Sequence, residues 1–231
     1  MMLPVNQIIC GDCLEVMRGW PDGCVDAVVT DPPYGIGIAK HGNIGGDNLA
    51  LVTDYGTTSW DTERVSKTHI SEMLRVSKQQ VIFGGNYYAD LLPARSCWLV
   101  WDKDNGAANF ADCELAWTSL KKAVRRMRWR WNGMLQEDMA NKEHRVHPTQ
   151  KPIAVMAWAL SFVVPPGGIV LDPFAGSGST CVAATREGLR YIGIDISEEY
   201  CEITRRRVAH TEKNLFADAR KMVDVEIREE A

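Results

Sequence analysis

The sequence predicts an α/β fold built on a doubly wound, mostly parallel sheet. Short apolar runs alternate with helix-like stretches along the chain, two of the runs end in turns rich in glycine or proline, and the length suits one large domain. With 231 residues, 45% apolar and 24% charged, the chain is neither wholly disordered nor collagen-like nor a coiled coil. Strands are expected at Val25–Thr30, Val81–Phe83, Trp98–Trp101, Cys113–Trp117, Ile169–Asp172 and Tyr191–Asp195, where apolar or alternating text is bounded by turn residues. Helices are expected at Leu14–Trp20, Thr62–Val76, Ile153–Val163 and Thr180–Glu187, and from Glu198 to about Asn214, the last with Ser197 placed to cap it. Two stretches break the alternation: Ala39–Trp60, rich in Gly, Asn and Thr, and Leu120–His147, rich in Arg, Lys and Trp. Both read as loops or a lobe outside the sheet, and the tail Phe216–Ala231 reads as peripheral.

Composition narrows the function classes. The 26 basic and 30 acidic residues give a net charge of −4, so affinity for a polyanion must come from a local patch. The first residues lack a basic run followed by an apolar stretch, and no 18 consecutive residues are apolar, which leads to the expectation of a cytoplasmic protein that does not enter a membrane. Seven cysteines, an odd number set in strand-like or helix-like text, argue for reduced thiols. Cys10 and Cys13 form a CxxC with no second pair, and His144 and His147 lack a matching carboxylate or thiolate spacing, so no metal site is expected.

Chemistry concentrates in two strand ends. In Leu171-Asp172-Pro173-Phe174-Ala175-Gly176-Ser177-Gly178-Ser179-Thr180 a buried strand runs into a glycine turn that opens a helix, whose first N–H groups suit an anionic group. Seventeen residues past Gly178, Asp195 ends the next strand, where a carboxylate can accept from both hydroxyls of a ribose. Together they point to a nucleoside-containing cofactor. A dinucleotide reading needs glycine where Cys181 stands, and a phosphate-binding P-loop needs a Gly-Lys-Ser/Thr that is missing. The second strand end is Val28-Val29-Thr30-Asp31-Pro32-Pro33-Tyr34-Gly35, where two prolines remove backbone donors and leave the Asp31 carboxylate and the Pro32 carbonyl as acceptors. Methylating an exocyclic amine of a nucleobase calls for such acceptors, because the nitrogen lone pair is delocalised into the ring until its protons are held. Tyr34 is placed to stack on the base.

These segments resemble the amino-methyltransferases of DNA that use S-adenosylmethionine, specifically those in permuted order, the beta class. The resemblance rests on Asp31-Pro32-Pro33-Tyr34 as catalytic tetrapeptide, Asp172 to Gly178 as cofactor loop, Tyr191-Ile192-Gly193-Ile194-Asp195 as the following strand, and His147-Pro148-Thr149-Gln150-Lys151-Pro152 before the loop. It spans roughly Ile8 to Asn214, with the tetrapeptide preceding the cofactor loop by about 140 residues. It implies a Rossmann-like methyltransferase domain over residues 1–231, with Asp31, Pro32 and Tyr34 catalytic. It also implies a cofactor site in which Asp12 accepts from the cofactor's amino group, Asp195 holds the ribose, and Asp172, Phe174, Gly176 and Gly178 belong to the loop lining the methionine part. Thr149 and Lys151 would approach the cofactor carboxylate, although a surface role for Lys151 stays open.

Little chain remains for reading DNA. Residues 121–151 hold nine Lys or Arg against three acids, and Arg126-Met127-Arg128-Trp129-Arg130-Trp131 alternates with period two. An extended strand there would show Arg126, Arg128 and Arg130 on one face, suited to phosphates or guanine edges, and turn Trp129 and Trp131 inward. Residues 120–147 are thus expected to form a short basic recognition insert for double-stranded DNA, and a homodimer sharing the duplex is one way so short an insert would suffice. Trp60 reads equally as a neighbour of the target pocket or as core. The expected activity is methylation of a flipped base, with adenine N6 favoured because Asp31 opens the tetrapeptide; N4-cytosine methylation and a non-catalytic DNA-binding module are the alternatives. Restriction–modification is the expected setting.

Overall fold

The computed structural model describes residues 2–37, 63–106, 111–132, 135–147 and 149–229, with side chains as far as 217. The strands are β1 (Gln7–Cys10), β2 (Val25–Thr30), β3 (Ser77–Phe83), β4 (Trp98–Asp102), β5 (Cys113–Thr118), β6 (Arg125–Arg128), β7 (Trp131–Asn132), β8 (Leu135–Gln136), β9 (Ile169–Asp172) and β10 (Arg190–Asp195). The helices are α1 (Cys13–Met17), α2 (Lys67–Val76), α3 (Ile153–Val163), α4 (Ser179–Arg186) and α5 (Glu198–Glu229). Eight strands form one sheet in the order β1-β10-β9-β2-β3-β5-β4-β6, and β7 pairs with β8 in a separate hairpin. Every pairing in the large sheet is parallel except those of β5, which runs antiparallel between β3 and β4.

Alternation along the central strands explains why helices cover both faces. Ala27, Val29, Val81 and Phe83 are buried in one cluster with α3 and α4, while Val28 and Ile82 are buried in another with residues of α1 and α2. Successive side chains of a strand point to opposite faces, so strands buried on both sides read as continuous apolar runs. The wide apolar surface of α3 (IAVMAWALSFV) follows from the same burial.

β9 and β2 lie side by side, yet the chain leaves them in opposite directions, toward β10 through α4 and toward β3 through α2. Open α/β sheets bind ligands at the carboxyl ends of strands where the order reverses in this way. Asp172 closes β9, and Asp31 follows β2, at that point.

The segment expected as a lobe outside the sheet is instead divided. Arg125–Arg128 add an edge strand parallel to β4, and the Trp101 indole N–H donates to the Trp129 carbonyl at 2.9 Å. Met127 and Trp129 pack against the core and Trp131 is buried, so the period-two pattern is satisfied by joining the sheet rather than by leaving it. The Ala39–Trp60 stretch, Trp60 included, lies outside the described residues. The tail expected to be peripheral continues α5 to Glu229.

Candidate active site and cofactor cradle

Asp31 sits where β2 gives way to the Pro32-Pro33 turn. The Tyr88 hydroxyl fixes that turn, donating to the Pro33 carbonyl at 2.6 Å and to the Pro32 carbonyl at 3.1 Å. Tyr34 donates its hydroxyl to Asp31 Oδ1, and its ring stacks on Tyr87 with centroids 4.7 Å apart and planes 15° from parallel. Gly84 lets the ring lie there: a Cβ on Gly84, which has φ +66°, would fall 2.1 Å from Tyr34 Cε1. Arg64 fixes the neighbourhood, pairing with Asp90 at 2.6 Å and donating to the Tyr87 carbonyl at 2.9 Å.

Lys151 departs from its expected place. It is buried, not a surface lysine, and its ammonium holds Asp31 Oδ2 rather than standing free for a cofactor carboxylate. Nζ also lies 3.0 Å from Glu114 Oε2 and 3.5 Å from the Tyr34 hydroxyl. Glu114 Oε1 is in turn 2.6 Å from Lys103 Nζ. Asp31, Lys151, Glu114 and Lys103 therefore form a chain of alternating charge. Burial pushes the Asp31 carboxyl above the usual carboxylate range, with the Lys151 ammonium opposing it. Burial also opposes the charge on Lys151, but Asp31 and Glu114 outweigh it and hold its pKa above the ordinary lysine value. Glu114 is held low: its burial is overcome by Lys151 and Lys103. Glu114 and Lys103 carried no motif along the chain, and they meet only because β4 and β5 pair.

The second strand end gathers the residues expected around the cofactor into a cradle. Asp195 accepts from the Gly176 N–H at 2.8 Å and the Ser197 N–H at 2.9 Å, which ties the glycine turn to the end of β10. Burial raises its carboxyl. Gly178 has φ +78°, and a Cβ there would lie 2.4 Å from Thr204 Cγ2, so glycine lets the turn close onto α5. Asp12 stands across from Asp195 because β1 pairs with β10, Cys10 opposite Asp195. Its Oδ1 caps α1, accepting from Leu14 N–H at 2.8 Å and Glu15 N–H at 3.1 Å. Phe174 lies 5.9 Å from the ring of His69, a residue of α2 that no motif had indicated. Thr149 is held by its N–H to His147 Nδ1 at 3.2 Å, beside the glycine turn. Burial lowers the His147 pKa to about 4, so the ring is neutral at physiological pH.

Asp172, expected among the cofactor-loop residues, is committed within the protein. Its oxygens accept from Thr30 Oγ1 at 2.6 Å, Thr180 Oγ1 at 2.5 Å and Phe174 N–H at 3.1 Å, clamping β2, β9 and α4 together. Burial raises its pKa from 3.8 to about 6. A carboxyl with a raised folded-state pKa favours the fold most below its unfolded pKa and loses that contribution as pH climbs through the folded value. The wild type is thus expected to lose about 3 kcal/mol of stability from this group between roughly pH 4 and 6. Asp172→Asn should lack that loss, which thermal melts of both proteins across this range would reveal as a gap that changes with pH.

The arginine face is exposed as expected but not free. Arg128 and Arg130 both pair with Asp104, Arg128 at 2.6 Å, and Arg126 lies 3.8 Å from Asp102. Among the described residues no group of three or more His, Cys, Asp or Glu is arranged to hold a metal, no helix is long and apolar enough to cross a membrane, and all seven cysteines are free thiols.

A twisted sheet with one reversed strand, carrying a glycine turn and an acidic strand end beside an Asp-Pro-Pro-Tyr turn, defines a Rossmann-like methyltransferase fold. The family model described as DNA methylase, of N6/N4 type, matches residues 102–206. A protein of Escherichia coli (strain K12) named as a methylase, YubD, is 30% identical, over 90% of this chain and 92% of its own. Among solved structures, M1.HpyAVI in complex with SAM aligns with a TM-score of 0.52 at 22% identity, over 87% of this chain and 98% of that one. The cytosine-N4-specific PvuII DNA methyltransferase aligns with a TM-score of 0.56 at 14% identity, over 87% and 85%. This chain belongs to the N6/N4 DNA methylase family.

Proposed function

We propose that the chain uses S-adenosylmethionine to methylate the exocyclic amine of a base flipped out of double-stranded DNA, with adenine N6 as the favoured target. The observation that carries this reading is Asp31 at the switch point of the sheet, next to the cradle formed by Asp12, Phe174, Gly176, Gly178 and Asp195. The cradle's chemistry fits the cofactor: a carboxylate at the end of β10 for a ribose, Asp12 for an amino group, and an open glycine turn, where a Cβ on Gly176 would meet nothing nearer than the His147 ring at 3.8 Å. When bound, S-adenosylmethionine supplies an electrophilic methyl group. Asp31 and the Pro32 carbonyl accept from the two N–H bonds of the target amine, drawing its lone pair out of the ring and opposing the positive charge that grows on nitrogen. Tyr34 and Tyr87 offer an aromatic wall for the base, and Thr149 borders the cradle beside His147.

The alternative is cytosine N4, the target of the PvuII enzyme that shares the fold; adenine is favoured by the aspartate that opens the tetrapeptide. Labelled methyl transfer to mixed-sequence duplex DNA, followed by nucleoside digestion, separates them. N6-methyladenine is expected. N4-methylcytosine would select the alternative, and bound cofactor with no product would leave a DNA-binding scaffold.

We assign DNA contact to Arg126, Arg128 and Arg130 within the 120–147 segment. Each contact to phosphate should steepen the salt dependence of binding by about one unit of slope, so the triple alanine variant should bind duplex DNA more weakly and with a shallower slope. Because Asp104 occupies Arg128 and Arg130 in the free protein, Asp104→Asn should bind DNA more tightly than wild type. Exposed pairs of this kind are weak because solvent screens them, which limits the gain to about a few-fold. Unchanged affinity and slope in the triple variant would move the DNA-binding face elsewhere.

A further inference from the structure

Both oxygens of Asp31 are engaged in the free protein, Oδ1 by the Tyr34 hydroxyl and Oδ2 by the Lys151 ammonium. A base amine that becomes cationic during methyl transfer cannot share Oδ2 with an ammonium without like-charge repulsion in a buried site. Lys151 therefore needs another place when substrate arrives. Glu114 offers one. Its Oε2 is buried and lies 3.0 Å from Lys151 Nζ, so the ammonium already stands within reach of both carboxylates. The carboxylate cannot wander, because Lys103 grips Oε1 and lies over the Trp101 ring at 5.1 Å. Strand pairing fixes the arrangement, with Glu114 on β5 opposite Trp101 on β4.

We propose that Glu114 is a second seat for the Lys151 ammonium, taken when the target amine enters, so that Glu114 acts as a positioning residue that frees Asp31 for catalysis. This rests on the methyl-transfer reading above. The groups facing Lys151 are Asp31, Tyr34 and Glu114 directly, Lys103 through Glu114, and the neutral His147; Asp172 faces the site through Asp31. Asp31 and Glu114 are the carboxylates that face the ammonium directly, whereas Asp172 is held by Thr30, Thr180 and the Phe174 N–H.

The test is the pH profile of kcat at saturating cofactor and duplex DNA. Glu114→Gln keeps the side chain's size but removes the receiving charge, leaving Lys151 on Asp31. Its kcat at pH 7 should fall by about tenfold or more, with S-adenosylmethionine affinity by calorimetry within about twofold of wild type. Loss of one of the two carboxylates that raise the Lys151 pKa lowers it, so the variant's kcat should climb toward alkaline pH as the ammonium deprotonates and releases Asp31, a climb the wild type lacks over the same range. A residue that merely supports packing would lower kcat without that climb. An unchanged Glu114→Gln profile, or a loss with no pH dependence, overturns the second seat. Wild-type protein that methylates no DNA would instead overturn the function on which it rests.

Discussion

Asp31→Ala is expected to lower kcat by about 10²–10³-fold, the usual cost of removing one preorganised group that stabilises charge in a transition state. Affinity for S-adenosylmethionine should stay nearly unchanged, because Asp31 follows β2 whereas the cradle is built from the ends of β1, β9 and β10. The variant should fold. Removing one partner of a buried ion pair is strongly destabilising when it strands the other charge, but Glu114 remains 3.0 Å from the Lys151 ammonium. Asp31→Asn should also be strongly impaired: an amide keeps a carbonyl acceptor but cannot oppose the positive charge on the attacking nitrogen. Titration calorimetry and steady-state turnover on the same preparations check both statements, and near-normal turnover in both variants would remove Asp31 from the mechanism.

Asp195→Ala should act on the cofactor instead. It removes the proposed partner of the ribose and leaves the Gly176 and Ser197 N–H groups without their acceptor, so the glycine turn loosens as well. Binding of S-adenosylmethionine should weaken by roughly 1–3 kcal/mol, or about 5- to 150-fold in Kd. Turnover at saturating cofactor should suffer less. Unchanged affinity in a folded variant would contradict the ribose assignment.

The contrast between these two variants follows from what the sequence revealed about the sheet. β2, β9 and α3 were legible to the residue, because each is an apolar run closed by proline, glycine or a charged turn. The amino-terminal half of β3, Ser77 to Gln80, reads as polar and was not expected; it is a strand because Val25 to Val28 of β2 pair with it. β1 is four residues long with only its middle two partly buried, too short for periodicity to register. Motifs placed Asp31, Gly176, Gly178 and Asp195 at strand ends, where the fold puts them. They were silent on Glu114 and Lys103, since a charge chain assembled across β4 and β5 leaves no spacing along the sequence. Lys151 was legible as a site residue but not by its contact: Ser179 Oγ donates to its carbonyl at 2.8 Å, anchoring the backbone while the side chain reaches back to β2.

The most direct test of the central claim, that Asp31 activates a base amine for methyl transfer, is a single-turnover measurement. Wild type and Asp31→Asn, each saturated with methyl-labelled S-adenosylmethionine and duplex DNA, are mixed and the labelled base is followed in time. The account predicts a labelled exocyclic amine in the wild type, and a transfer step at least about 100-fold slower in Asp31→Asn at equal cofactor occupancy. Equal transfer rates in the two proteins, or label at any position other than an exocyclic amine, would contradict it.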